Sequence, residues 1–170
     1  IAEFEDVPKK YILCGNGAAD LIYAYCEAVR PGLAVELAPT FSEYALGLKR
    51  VGCDILRCQL NPEMCFELDA FFLDFLDKTK PEVVFLFFPN NPTGTTIAPV
   101  LLEKILVFCK HRNIRLFVDE CFLDLSDSGE SLKPMLAQFP NLFILKAFTK
   151  SYGMAGIRLG YCMSSDSELL

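Results

Sequence analysis

Residues 83–120 read VVFLFFPNNPTGTTIAPVLLEKILVFCKHRNIRLFVDE, and this stretch decides the fold class. Val83–Phe88 is an unbroken apolar run closed by Pro89-Asn90-Asn91-Pro92-Thr93-Gly94. Ala98–His111 then places Leu101, Ile105, Leu106 and Cys109 on one face of a helix. Arg115–Val118 is a second apolar run, ended by Asp119 and Glu120. Strands alternating with helices make a mostly parallel sheet covered on both faces, with right-handed crossovers.

The pattern extends outward from this unit. Tyr11–Cys14, Ala34–Leu37, Asp54–Cys58, Leu142–Lys146 and Leu159–Met163 are five further apolar runs bounded by turn residues. Helical patterns lie at Ala18–Val29, stopped by Pro31-Gly32, and at Phe41–Arg50 and Asp69–Asp77. Ser131–Phe139 is a weaker helix, because Pro134 limits where it can start. The expectation is a three-layer α/β/α domain around a seven-stranded sheet. Residues 126–131 are a polar surface loop, and no repeat or interdomain linker interrupts the chain.

The 170 residues suffice for one sizeable domain, and 52% hydrophobic content fits a large core. Val83–Phe88 is far short of the roughly 20 apolar residues that a membrane helix needs. A net charge of −6 argues against nucleic acid, which wants a basic surface. Eight cysteines stand at 14, 26, 53, 58, 65, 109, 121 and 162, with no CxxC pair and one histidine. Zinc needs tighter clustering, so no metal site is expected. Reduced, buried cysteines of a cytoplasmic protein are the reading. The chain opens Ile-Ala-Glu and stops just after a strand. The expectation is a fragment of a longer protein.

In open α/β sheets, ligands bind beyond the carboxyl ends of the strands. Gly15-Asn16-Gly17 follows the first predicted strand, Asn91 the fourth, Asp119 the fifth and Lys150 the sixth. Arg158 precedes the last strand, so an antiparallel last strand would bring it to the same edge. Amides of Gly17, Ala18 and Ala19 at a helix start can hold a phosphate. The Asn91 amide can reach a phenolic oxygen. Asp119 can pair with a protonated ring nitrogen. A free lysine has a pKa of about 10.4, so Lys150 needs a lowered pKa, or prior Schiff-base formation, to serve as nucleophile and later as base. Phe41 can stack on a flat ring. Together these suggest a pyridoxal phosphate site, with Lys150 as the Schiff-base lysine. Taken alone, the Gly15–Gly17 and Asp119-Glu120 segments read equally as a turn and a cap, while the Pro89–Gly94 run reads better as a turn and Phe41 as a core residue.

A competing reading takes Gly15-x-Gly17-x-x-Asp20 and Glu36 as a dinucleotide fingerprint. Asp20 stands where that pattern wants glycine or alanine, and Asn91, Asp119 and Lys150 are left unexplained.

The ordered set GNGAAD, PTF, NNPTG, VDECF and FTKSYGMAGIRLGY, between Tyr11 and Met163, resembles fold-type I pyridoxal phosphate enzymes of the class I/II aminotransferase group. Within that group it is most similar to histidinol-phosphate aminotransferases and threonine-phosphate decarboxylases. The resemblance implies the large cofactor-binding domain over residues 1–170, with the last strand of the sheet antiparallel. It implies Lys150 as the Schiff-base lysine and proton shuttle, and Asp119 on the pyridine nitrogen. It also implies Asn91 on the phenolic oxygen, Phe41 on the ring face, and Gly17, Ala18, Ala19, Thr149 and Arg158 on the phosphate. A homodimer acting on a small-molecule amino donor and acceptor goes with it, and the family's N-terminal segment and small domain lie outside these residues. The first activity implied is amino transfer; the alternative is decarboxylation of an O-phospho amino acid. Two positions depart from the family pattern. Phe122 stands where many aminotransferases have tyrosine, and Ala147 where a hydroxyl residue is common.

Overall fold

The computed structural model describes all 170 residues. Seven strands form one sheet: β1 (Ile12–Asn16), β2 (Leu33–Ala38), β3 (Asp54–Gln59), β4 (Val83–Phe87), β5 (Arg115–Asp119), β6 (Leu142–Ala147) and β7 (Leu159–Ser164). Their order is β1-β7-β6-β5-β4-β2-β3. Only β7 runs against its neighbours, pairing antiparallel with both β1 and β6. The seven strands and the antiparallel last one match the expected architecture.

The helices are α1 (Ala2–Glu5), α2 (Ala18–Val29), α3 (Glu43–Arg50), α4 (Phe71–Thr79), α5 (Pro99–His111) and α6 (Phe148–Ser151). Side chains alternate across each strand, so the sheet separates two cores. On one face Leu21, Ile22 and Tyr25 of α2 and Tyr44 and Leu48 of α3 pack on Phe85, Phe87, Phe117, Phe143 and Leu145. On the other, Phe72 and Leu76 of α4 and Ile105 and Leu106 of α5 pack on Val84, Leu86, Leu116, Val118 and Ile144. The register sets Phe85, Phe117 and Phe143 side by side on adjacent strands. Their rings stack at 4.7 and 5.0 Å between centroids. Each such pair contributes about 0.5–1.5 kcal/mol beyond the area it buries.

Two expectations are corrected. Ser131–Phe139 is not a regular helix; only a 3-10 turn forms, at Lys133–Met135. Pro134 lacks an amide hydrogen, and Pro140 follows too soon for a longer helix to develop. The dinucleotide arrangement also fails on topology. That motif needs its first two strands adjacent, whereas β1 and β2 stand at opposite sides of the sheet with four strands between them. Glu36 therefore cannot reach the Gly15–Gly17 turn; it is buried and takes a hydrogen bond from Arg57 Nε at 2.8 Å. Asp20 serves locally, accepting the Asn16 amide at 3.0 Å.

All eight cysteines are free thiols; six are buried, and Cys14 and Cys65 are exposed. No helix is long and apolar enough to cross a membrane.

Candidate functional site

The sheet's carboxyl edge gathers the residues in question because parallel strands end there together. β4 ends before Asn90 and Asn91, β5 ends on Asp119, and β6 runs into α6, which carries Thr149 and Lys150. β7, being reversed, begins at the same edge, just after Arg158. One cavity of about 180 Å³ is lined by Ala18, Ala19, Phe41, Asn91, Asp119, Thr149, Lys150 and Arg158, together with Phe87, Cys121, Phe122 and Ala147. A larger cleft of about 310 Å³ opens on the α5 side, but it is mainly apolar and contains none of these groups. Convergent polar groups, rather than volume, mark a binding site.

Gly17 differs from expectation. Its amide donates to the Gly15 carbonyl at 2.9 Å and so is not free for a ligand. The cause is the sharp turn that carries β1 into α2, with Gly17 at φ +82°. What Gly17 provides is space: a β-carbon there would lie 2.9 Å from Arg158 Nη2. The first-turn amides of Ala18 and Ala19 have no acceptor inside their own helix, and both residues line the cavity. Arg158 sits at φ 55° and forms no ion pair, and Lys150 likewise forms none. The Lys150 Nζ lies 5.5 Å from the centre of the Phe122 ring. That ring stacks on Phe87 at 5.5 Å with 17° between planes, forming one wall.

Asp119 is 2% exposed. Its Oδ1 accepts the Cys121 amide at 2.9 Å and its Oδ2 accepts the Tyr44 hydroxyl at 2.8 Å. Both donors are neutral. Burial pushes the carboxyl above its ordinary value, and the bonds from Cys121 and Tyr44 only partly offset this. The site thus holds a buried carboxylate short of a cation at one end, and Arg158 with the start of α2 at the other. That donor set fits pyridoxal phosphate, which carries a protonatable ring nitrogen and an anionic tail.

Three supporting residues escaped the sequence reading. Tyr44 is one. Asn90 is another: 4% exposed, it donates from Nδ2 to the Pro39 carbonyl at 3.0 Å and to Thr93 Oγ1 at 2.9 Å. Its Oδ1 accepts from Thr40 at 2.9 Å, so it ties the loop bearing Phe41 to the loop bearing Asn91. Cys121 is the third, with a thiol that burial and the neighbouring Asp119 push well up. The adjacency of Cys121 to Asp119 was visible in the chain; the long-range bonds of Tyr44 and Asn90 carried no local signal.

A family model described as aminotransferase class I and II matches residues 2–170. The chain is 35% identical over its whole length to a threonine-phosphate decarboxylase from Salmonella typhimurium, covering 46% of that protein. It is 32% identical over 97% of its length to a histidinol-phosphate aminotransferase from Caldanaerobacter subterraneus, again covering 46% of the relative. Among solved structures, a decarboxylase from Sulfurospirillum multivorans superposes with a TM-score of 0.89 at 28% identity. That match takes in 99% of this chain and 49% of the other. The chain spans about half the length of the curated relatives it matches.

Proposed function

Because the chain belongs to the class I and II aminotransferase family, whose members use pyridoxal phosphate, we propose that it is the cofactor-binding part of an enzyme acting at the α-carbon of an amino acid or phosphorylated amino compound. The observation that carries the reading is one cavity bordered by Lys150, Asp119, Asn91, Phe41 and Arg158. When bound, the cofactor supplies an electron sink for charge developing at that carbon. Lys150 Nζ would hold it covalently and would take and return the proton at the substrate's α-carbon. Asp119 faces the ring nitrogen and keeps it protonated. Asn91 donates its amide to the phenolic oxygen, and Phe41 covers a ring face. Arg158, Thr149 and the amides of Ala18 and Ala19 hold the phosphate, with Gly17 leaving room for the guanidinium. The reading carries with it a cytoplasmic location and a homodimer, and size-exclusion of the full-length protein checks the second.

Amino transfer is the broader activity. Decarboxylation of an O-phospho amino acid has one specific point in its favour. Phe122 presents a bare ring to the cavity, stacked on Phe87, where a tyrosine would offer a hydroxyl to the phenolic oxygen. The identity to a threonine-phosphate decarboxylase over the whole chain leans the same way. Full-length protein given O-phosphothreonine would release carbon dioxide in the second case. Given histidinol phosphate and a 2-oxo acid, it would exchange an amino group in the first.

The cofactor itself is tested before the substrate. Full-length protein loaded with pyridoxal phosphate, reduced with borohydride and peptide-mapped, should carry a pyridoxyl group on Lys150. Lys150→Ala should carry none. A wild-type protein without the adduct, or with it on another lysine, sinks the proposal.

A further inference from the structure

We propose that Tyr44 is a positioning residue for the cofactor: its buried hydroxyl holds Asp119 ionised and turned toward the ring nitrogen. The inference rests on the pyridoxal phosphate reading above and goes beyond it. It starts from a bond between two residues 75 apart in the chain, Tyr44 Oη donating to Asp119 Oδ2 at 2.8 Å. Tyr44 is fully buried. Its ring is held edge-on against Phe41 at 5.7 Å and against Phe87 at 6.3 Å, and tilted over Phe85 at 5.3 Å. So packed, the ring has no alternative place to swing, and Asp119 is the one acceptor its hydroxyl has.

The chemistry follows from the neighbourhood of Asp119. A buried carboxylate tends to take up a proton, and burial does push this one up. A protonated Asp119 facing a pyridine would leave the ring nitrogen neutral and the electron sink weak. Cys121, through its thiol and its amide on Oδ1, and Tyr44 on Oδ2 oppose that outcome. Cys121 adjoins Asp119 in the chain; Tyr44 is the donor brought from a distant element, and its hydroxyl can be deleted by one atom. Burial and Asp119 together push the tyrosine's own pKa well up, so it stays a donor at every working pH. Tyr44 also touches Phe41, so one rigid residue sets both the carboxylate and the ring cover.

The test is Tyr44→Phe in the full-length protein, loaded with pyridoxal phosphate carrying 15N at the ring position. Tyr25→Phe is the control. Tyr25 is buried in the same core, but its hydroxyl has no hydrogen-bond partner. In Tyr44→Phe the 15N resonance should move from the protonated toward the unprotonated position, and cofactor affinity should fall about tenfold. Tyr25→Phe should match wild type in both. In an Asp119→Asn background, adding Tyr44→Phe should change affinity by less than about twofold, because the tyrosine acts through that carboxylate. A Tyr44→Phe protein with a wild-type 15N shift overturns the role of Tyr44 while leaving the cofactor reading intact. A wild-type protein that forms no adduct on Lys150 overturns both. Should Tyr44→Phe lower the melting temperature, the 15N shift of the folded fraction still decides, since loosened packing alone does not move a proton off the ring.

Discussion

Gly17 is needed for what it lacks, and the two parts of that need can be separated. Its backbone stands at φ +82°, where a side chain is strained by about 1–3 kcal/mol. Its missing β-carbon leaves room for Arg158 Nη2, 2.9 Å from where that carbon would be. A guanidinium is the far end of a flexible side chain, so Gly17→Ala should fold and push Arg158 aside. Gly52 supplies the comparison: φ +75° with nothing within 4 Å of an added β-carbon. Gly52→Ala should lose stability and keep cofactor affinity. Gly17→Ala, with ψ at 171° in a region essentially kept for glycine, should lose at least as much stability and also weaken pyridoxal phosphate binding about tenfold, by one lost charge-assisted contact. Equal cofactor affinities by fluorescence titration would refute the spatial argument. Legibility divides along the same line. Lys150, Asp119, Asn91 and Arg158 could be singled out because each adjoins a readable strand, and the resemblance gave each a role. The roles of Asn90 and Tyr44 could not, since they rest on Pro39 and Asp119, 51 and 75 residues distant. A hydrogen bond of that span leaves no period or spacing in a sequence.

Elements were legible in proportion to their length and burial. The central strands were plain, because buried parallel strands are continuous apolar runs. The helix α2 was read to its exact ends, with Gly17 before it and Pro31-Gly32 just beyond. The one-turn helices α1 and α6 went unread, four residues each being too few to show a 3.6-residue period. The sequence also carried no sign of how closely β7 passes the start of α2. A β-carbon on Gly160 would lie 2.6 Å from Gly17 C and 2.8 Å from the Ala18 nitrogen. Those are backbone atoms and cannot swing away as a side chain can. Gly160→Ala must therefore part β7 from the helix start, at an overpacking cost of about 1–3 kcal/mol. A chain of this size should then melt roughly 3–10 °C lower. The same displacement would carry the Ala18 and Ala19 amides away from Arg158, so phosphate affinity should fall with stability. Gly156→Ala, with open space around it, should melt like wild type. Wild-type melting of Gly160→Ala would show that the contact yields freely.

Across the whole molecule the sheet's two faces differ in kind. The face toward α2 and α3 carries the cavity; the other carries a buried charge cluster joining four parts of the chain. Glu5 of α1 accepts from Tyr161 of β7 and from Lys133 Nζ at 2.9 Å, and pairs with Lys146 of β6 at 3.3 Å. Lys146 also pairs with Asp124 at 2.9 Å. Beside them Glu120, fully buried, accepts from Ser131 Oγ at 2.6 Å and from the Leu132 amide at 2.9 Å. The two glutamates respond oppositely. Burial raises Glu5, but its bonds to Tyr161 and Lys133 and the charge of Lys146 outweigh that and leave it lowered. Its stabilisation is present above the ordinary glutamate range and is lost as pH falls through its depressed value. Burial carries Glu120 from the ordinary 4.5 to about 7. Between those values the folded state holds more protons than the unfolded one, so stability falls as pH rises. The loss across that window is about 3 kcal/mol. Glu120→Gln keeps an acceptor for Leu132 and offers a donor to Ser131, while removing the charge. Urea unfolding without added cofactor, at steps from pH 5 to 8, should show wild type losing stability toward neutral pH and Glu120→Gln holding level. The two proteins should agree near pH 5, with the variant the more stable at pH 8. Parallel curves over the whole range would mean that Lys146 already neutralises Glu120 within the cluster, and that the carboxylate is charged throughout.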